Sequence, residues 1–486
     1  MSNFYFVLFF SYCIWIVSNF ILTFSTRKAA NDLIKFNSLF FSLLQFFIIL
    51  VVWLISSQQE IGNLKYTWTI YHNIYYAIQL DSISLLFLLL SFGLIPICIL
   101  ISWSNIKYRY STFVFIMISI SFFLFNIFCV LDLVFFYVFF ESILIPMFLL
   151  IGIWGSRQRK IHAVYQFFFY TILGSLLMLL SILFIYSYAQ TTDVRLLYHM
   201  NFSFNRQLVL WFCFFFAFAV KVPLFPFHIW LPEAHVEAPT IGSVLLAGVL
   251  LKMGSYGLLR FVIPLFNDAN YFFLPFVYTL CIFGIVYTCC TTIRQVDLKK
   301  IIAYSSVSHM SFVILGLFSV NIVGIAGSIF LMLSHGIVSG GLFFLVGCIY
   351  DRFKTRILFY YSGLVNVMPL FAVLFFILIL GNISFPGTSG FVGELLILLG
   401  VFETNLFVAM ASTFSIILTA VYSIWLYNRL VFNKLNIAYF SVFQDLTKRE
   451  FYIGAIFCIL ALILGIKPNT FLSLLDYSLY SIIEFK

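Results

Sequence analysis

Six titratable side chains stand inside stretches otherwise made of apolar residues: Glu141, Lys221, Lys252, His309, His335 and Glu394. Each falls in a different hydrophobic run. A lone charge at mid-bilayer costs about 2.5–3.5 kcal/mol on insertion scales, so six groups turned to lipid would carry a large penalty. They must point inward, find partners, hydrate or lose their charge. Two acids, two lysines and two histidines are also what proton movement requires, because burial shifts and couples their protonation equilibria. Lysine is well suited to proton exchange. Desolvation favours its neutral form, a nearby carboxylate restores the charge, and a change in Glu–Lys distance then releases or captures a proton. Taken singly, each residue has a plainer reading. His335 alone is a neutral packing histidine, and Glu141 or Lys252 alone is half of a structural ion pair. Six such groups in six runs favour the collective reading. Asp132, at the start of a run, reads as a helix N-cap.

Between the two lysines lies "FPFHIWLPEAHVEAPT" (225–240), with two histidines, two glutamates and three prolines. With Pro223 added to Pro226, Pro232 and Pro239, no regular helix runs through this segment, since each proline removes a donor and clashes one turn back. Lys221 falls at the first break. Irregular backbone at membrane depth is tolerated only where it is buried in protein or hydrated, and half-helix ends can interact with an ion or proton-carrying water. The device recurs in "GNISFPGTSGFVGE" (381–394), where Gly381, Pro386, Gly387, Gly390 and Gly393 interrupt a long run and Glu394 follows one turn later. It lacks the Gly-Lys-Ser/Thr of a phosphate loop. His228, Glu233, His235 and Glu237 have no unique chemical job in the sequence; scaffolding of the break and shaping of an inward entrance suit them.

The elements that position these groups follow from composition. The 486 residues are 63% hydrophobic and 9% charged, against about 25% charged in soluble proteins, and apolar runs recur end to end. The expectation is an all-α polytopic membrane protein with about fourteen transmembrane helices. They lie near 3–23, 38–57, 83–103, 111–129, 131–153, 163–187, 207–224, 241–262, 271–293, 301–318, 322–349, 365–402, 405–430 and 451–467, with the seventh and twelfth discontinuous. The first run reads as a retained helix, being too long and too poorly flanked for a signal peptide. With no Arg-rich presequence before it, an organellar version of this chain is expected to be made inside the organelle. A tail from Pro468 to Lys486 places Leu472, Leu475, Leu479 and Ile482 at roughly helical spacing, as an interfacial helix does.

With the N-terminus on one side (side A), the Lys and Arg residues of the links divide roughly three to one in favour of the other (side B). Side B therefore faces the cytoplasm or matrix, and both termini face away from it. Breaks five helices apart reverse direction, so helices 4–8 and 9–13 read as inverted five-helix repeats. The expected organisation is 1–104 (helices 1–3), 105–262 and 263–430 (the two repeats), and 431–486 (helix 14 and tail). Nine cysteines, without ligand spacing, belong to helix packing, and no metal site is read. A formal charge of +9 with no basic domain gives no reason to expect nucleic acid. An AT-rich organellar coding bias would account for 65 Phe and 28 Tyr.

These residues also carry a resemblance. "FPFHIWLPEAHVEAPTIGSVLLAGVLLKMGSYGLLR" (225–260), "IAYSSVSHM" (302–310), "FPGTSGFVGE" (385–394), "ESILIPMFLLIGIWG" (141–155) and "YSIWLYNR" (422–429) resemble the antiporter-like subunits of proton-pumping NADH:ubiquinone oxidoreductase, respiratory complex I. The resemblance covers the chain after its first eighty or so residues. "LPEAHVEAP" together with Lys252 is similar to the subunit 4 branch, and there is no room for the long lateral helix of the larger subunit 5. The resemblance implies a proton-translocating role without redox chemistry or bound cofactor in this chain. NAD(H), FMN, iron–sulfur clusters and ubiquinone serve the whole complex. It implies Glu141 and Lys221 as the pair controlling an inward channel, and Lys252 as the central lysine. His309 and His335 fall on the polar axis, and Glu394 is the terminal acid. Implied partners are the other membrane-arm subunits, neighbouring antiporter-like ones especially, and lipids, cardiolipin among them. The implied location is the mitochondrial inner membrane, with both termini on the intermembrane-space side. The other readings are an Mrp-type cation/proton antiporter subunit and a non-conducting scaffold whose charges only hold helices together.

Overall fold

Apolar runs joined by short polar links can satisfy their backbone inside hydrocarbon only as helices or closed barrels, and here the choice is helix. The structure, a computed structural model, describes residues 11–18, 21, 28–56, 64–71, 74–435 and 444–484. The chain runs through α1 (Lys28–Ser56), strands β1 (Leu64–Tyr71) and β2 (Ile74–Leu80), α2 (Ser82–Asn105), α3 (Tyr110–Cys129), α4 (Leu133–Ser142), α5 (Leu144–Trp154) and α6 (Lys160–Ala189). Then come α7 (Phe204–Lys221), α8 (Trp230–Glu237), α9 (Thr240–Leu265), α10 (Asn267–Arg294), α11 (Leu298–Leu317) and α12 (Ile322–Phe353). The last five are α13 (Pro369–Ile383), α14 (Ser389–Thr404), α15 (Leu406–Val431), α16 (Lys448–Ile466) and α17 (Asn469–Glu484). Among the described residues twelve helices are long and apolar enough to cross a membrane, α4 and α5 together forming one of them. The first expected span, 3–23, lies largely outside the described residues.

The apolar runs of α9 and α12 are wholly buried, and these two helices form the axis of the bundle. Around them, α6, α10 and α15 bury about two-fifths of theirs (39% each) and turn residues such as Leu173, Phe283 and Phe407 outward, as lipid-facing helices do. The tail is helical, and α17 buries Leu475 and Leu479.

The all-α membrane bundle carries one small addition. β1 and β2 form an antiparallel hairpin, and Leu131 N–H donates to the Ala77 carbonyl at 3.0 Å, tying it to the link between α3 and α4. Its sequence, "LKYTWTIY" and "IYYAIQL", is rich in aromatic and β-branched residues, which favour strands. A reading keyed to long apolar runs passes over it.

Among the described residues four helical regions are interrupted where two were expected. α13 ends at Ile383 and α14 begins at Ser389, with Ser384 and Gly387 at φ 62° and 91° between them; the glycine takes that left-handed conformation without strain. α7 stops at Lys221, before Pro223. α4 stops at Ser142 and α5 restarts at Leu144, two residues before Pro146. α9 carries two π-helical segments, Leu246–Leu250 and Leu258–Val262. The expected span 131–153 is therefore two helices, with the break at Ile143, two residues after Glu141.

Candidate proton-transfer site

The break at Pro223 explains why Lys221 is where it is. Pro223 has no N–H to give the Ala219 carbonyl, and the Leu224 N–H takes that acceptor instead at 2.9 Å. The Val220 carbonyl, left over by this shift, accepts from the Trp230 indole at 2.9 Å. Trp230 thus closes the break from the far side of the loop, satisfying a buried acceptor whose neglect costs about 1–3 kcal/mol. Lys221 is the last residue of α7 and is buried. At a helix C-terminus its cation faces the negative end of the dipole. Its Nζ lies 3.5 Å from the Phe140 carbonyl and 4.4 Å from the centre of the Phe140 ring.

Glu141 is the next residue after Phe140, on the last turn of α4. The two charges lie within Coulombic reach of each other, with Ser175 beside the carboxyl. They do not touch. Among the described residues Glu141 makes no ion pair, and its Oε1 is buried without a hydrogen-bond partner.

Lys252 lies between the two π segments of α9, fully buried. A π turn displaces backbone carbonyls from their i→i−4 partners, and Lys252 Nζ donates to one of them, Ala247. The same nitrogen stands 2.9 Å from His335 Nδ1. Contact across α9 and α12 depends on Gly336, where a Cβ would meet the Gly248 carbonyl at 2.9 Å. One residue before Gly336, the His335 ring faces that of His309, with centroids 5.7 Å apart. His309 Nδ1 then stands 3.1 Å from Glu394 Oε1. Glu394 reaches that position because Gly393 lets α14 lie on the backbone of α12; a Cβ there would sit 2.8–2.9 Å from Leu331.

Lys252, His335, His309 and Glu394 thus form a line across α9, α12, α11 and α14. The single gap in it falls between the two imidazoles. Each leaves its Nε2 buried without a hydrogen-bond partner among the described residues. Lys221 approaches this line from α7 without joining it. Its Cβ lies 3.1 Å from where a Cβ of Gly254 would be, two residues beyond Lys252, and among the described residues no hydrogen bond links the two lysines.

A second buried polar group lies toward side B and was not legible as such. Lys299 and Arg356 count in the sequence as ordinary basic link residues, yet they are 2% and 0% exposed. Lys299 Nζ donates to the Ala238 carbonyl at 2.8 Å. Arg356 donates to the Val236 carbonyl and lies 3.7 Å from Glu237 and 3.9 Å from Asp297. These carbonyls belong to the end of α8 and the link after it, so buried cations fasten the proline-rich segment to the bundle. His235 is fully buried and stacked on Phe343, centroids 4.4 Å apart and planes 2° from parallel. Both of its nitrogens lack a hydrogen-bond partner among the described residues. Glu233 accepts from Lys300 at 2.6 Å, and His228 sits among the rings of Phe225, Tyr287 and Tyr304. Asp132 caps α4 by accepting from the N–H groups of Val134 and Phe135, and it also accepts from the Thr192 hydroxyl. Among the described residues no group of three or more His, Cys, Asp or Glu side chains is placed to hold a metal ion.

This arrangement can be set beside known proteins. Residues 130–419 match the family model described as NADH:quinone oxidoreductase/Mrp antiporter, transmembrane. The chain is 65% identical to NADH-ubiquinone oxidoreductase chain 4 of Acanthamoeba castellanii, over 99% of each sequence. It is 52% identical to the protein of that name from Chondrus crispus (94% of each). Among solved structures it is similar to a chain of respiratory complex I from Thermus thermophilus with bound NADH. The TM-score there is 0.88 and the identity 27%, over 98% of this chain and 99% of that one. A chain of the Mrp complex from Dietzia sp. shares the fold at TM-score 0.87 and 17% identity, over 100% of this chain and 98% of that one.

Proposed function

This chain belongs to the family of NADH-ubiquinone oxidoreductase chain 4, the antiporter-like membrane subunits of complex I, and we propose that its proton path uses Glu141, Lys221, Lys252, His335, His309 and Glu394. It is a multi-pass, proton-translocating subunit of the membrane arm and is not a redox centre. The observation that carries the proposed path is the succession of Lys252, His335, His309 and Glu394 at 2.9 Å, 5.7 Å (ring centres) and 3.1 Å, with one gap between the two imidazoles.

A proton moves along that line by exchange. When Lys252 is an ammonium it donates to His335 Nδ1, which leaves the His335 proton on Nε2. One water there, bonded to both partnerless Nε2 atoms, passes a proton on to His309, and His309 Nδ1 hands it to Glu394. Buried polar atoms without a protein partner, as these two nitrogens are among the described residues, are where ordered water is held in proteins. The Glu141–Lys221 pair sets when Lys252 is loaded. At an effective dielectric of about 20, unit charges about 6 Å apart interact by about 3 kcal/mol. Moving one charge against 100 mV takes about 2.3 kcal/mol. Bringing the pair together or drawing it apart is therefore enough to gate one step. The cluster of His235, Glu237, Lys299 and Arg356 holds the broken segment on the side-B face and lines the approach from that side.

The finer organisation belongs to the same proposal: fourteen spans, inverted repeats at 105–262 and 263–430, both termini on the intermembrane-space side of the mitochondrial inner membrane, and other antiporter-like subunits as neighbours. The interruptions at α7 and at α13–α14 support the repeats by standing five spans apart. Replacement of Lys252 by Met in the whole complex is the test. The variant is expected to assemble and to lose proton translocation by about 10²-fold, the usual scale of one acid–base group, with slowed quinone reduction. Normal proton uptake per NADH at normal turnover would overturn the assignment.

A further inference from the structure

Behind the helix that carries His335 the bundle is not closed. A cavity of about 480 Å³ opens between α1, α2, α12, α16 and α17. Its wall is apolar throughout, with Leu50, Gly93, Ile337, Leu460 and Phe471 representing the five helices. Its lip is open to the outside of the bundle, where Leu460 and Ile463 are exposed. A cavity with such a lining does not hold water, and a protein interior packed like an organic crystal does not leave so large a space beside hydrocarbon unfilled. The volume falls within the about 300–1,000 Å³ of sites that enclose a small ligand. Its shape selects among ligands. From Leu86 to Leu100 the α2 wall runs about 21 Å at 1.5 Å per residue, which suits a single extended chain.

At the side-B end the seam between α2 and α16 continues into a polar niche lined by Ser104, Ile453 and Arg449. Arg449 is half-buried, donates to the Ser104 hydroxyl at 2.5 Å, and stands seven residues before Ile456 on the same face of α16. The acids of the niche are already engaged: Asp351 accepts from Asn105 at 2.6 Å, and Glu450 accepts from Arg352 at 2.5 Å. An apolar slot with, at its polar end, a guanidinium that makes no ion pair among the described residues has the chemistry of a phospholipid, one tail below and the phosphate above.

We propose that this cavity is a phospholipid-binding site, with one acyl chain lying along α2 and α16 and the phosphate held by Arg449. The chain packs on Leu333 and Ile337, which flank His335 along α12, so it completes the wall behind the proton-transfer line.

The test uses the whole complex in nanodiscs containing phosphatidylethanolamine with a photoreactive diazirine in its acyl chain, followed by mapping of adducts by mass spectrometry. Adducts on residues 86–100 and 456–464 are expected to exceed those on the outward face of α6. Gly93→Phe, which fills the slot from a position where a Cβ meets only the Phe46 ring at 3.4 Å, should bring them down to the α6 level. Arg449→Gln should lower them about tenfold, the scale of one hydrogen bond to a charged group. Wild-type labelling no greater than on α6, adducts unchanged by Gly93→Phe, or a map with a neighbouring subunit's helix seated in the slot would each overturn the site. Should Gly93→Phe fail to assemble, the wild-type ratio and Arg449→Gln decide.

Discussion

The line from Lys252 to Glu394 and the pair of Glu141 and Lys221 are made of the same materials, buried titratable groups beside interrupted helices, yet they are built differently. Along the line, Lys252 and His335 stand 2.9 Å apart, His309 and Glu394 3.1 Å, and the two imidazoles 5.7 Å between ring centres, and Gly336 and Gly393 draw the helices together to achieve it. At the pair, the charges are held apart. Lys221 leans on the Phe140 carbonyl and ring, while Glu141 keeps an oxygen unpartnered. A contiguous arrangement suits conduction, since a proton needs partners at fixed, short separations. A separated one suits control, since its energy changes with a small motion.

The comparison can be broken most forcefully on the contiguous side. His335→Leu removes the acceptor of Lys252 and one of the two orphaned nitrogens together. An assembled complex is expected to lose about 10²-fold in proton translocation, read by pH-dye quenching in vesicles. Comparable pumping would show that the line does not conduct.

Shortening each acid by one methylene sharpens the contrast. Glu394→Asp draws its carboxylate away from a 3.1 Å contact with His309 and is expected to cost about tenfold, the scale of a lost hydrogen bond to a charged group. Glu141→Asp has no ion pair to lose among the described residues and should stay within about twofold, whereas Glu141→Gln, which removes the charge, should not. Equal effects of the two Asp variants would erase the distinction between wire and gate.

Smaller effects fall on the scaffolding. Trp230→Phe leaves the Val220 carbonyl buried and unpaired, an expected loss of about 1–3 kcal/mol, measured as a lower midpoint of thermal inactivation of the complex. Gly254→Ala places a methyl 2.5 Å from Val222 Cγ2. It should push the Lys221 end of α7 from α9 at about 1–3 kcal/mol and reduce pumping less than any change within the line. Wild-type stability in either variant would show that the break is held by other means.

Much of this architecture was legible because hydrocarbon narrows the choices. Apolar runs mark helices, and Pro223 and Pro386 mark breaks, since proline's missing donor acts in the same way in any surroundings. Pro146 carried the same signal for the break after Glu141. Other features depend on what a residue meets in space. Nothing in "LAGVLLKMGSYGLLRFV" distinguishes two π segments around Lys252 from a plain helix. The burial of Lys299 and Arg356 is decided by the carbonyls of Val236 and Ala238, which lie far away in sequence. His335 was readable as a polar group on an inner helix, but its place between Lys252 and His309 comes from the approach of α9 and α12 at Gly336. The hairpin at 64–80 was marked by its alternation of aromatic and β-branched residues, outside the long apolar runs that dominate the chain.

The central claim is that the six titratable groups work as one path because the line through His335 and His309 is closed by water. A map of the assembled complex at a resolution that shows ordered solvent tests this most directly. The account predicts a water within hydrogen-bond distance of Nε2 of both His335 and His309. An apolar side chain packed dry between those two rings would contradict it.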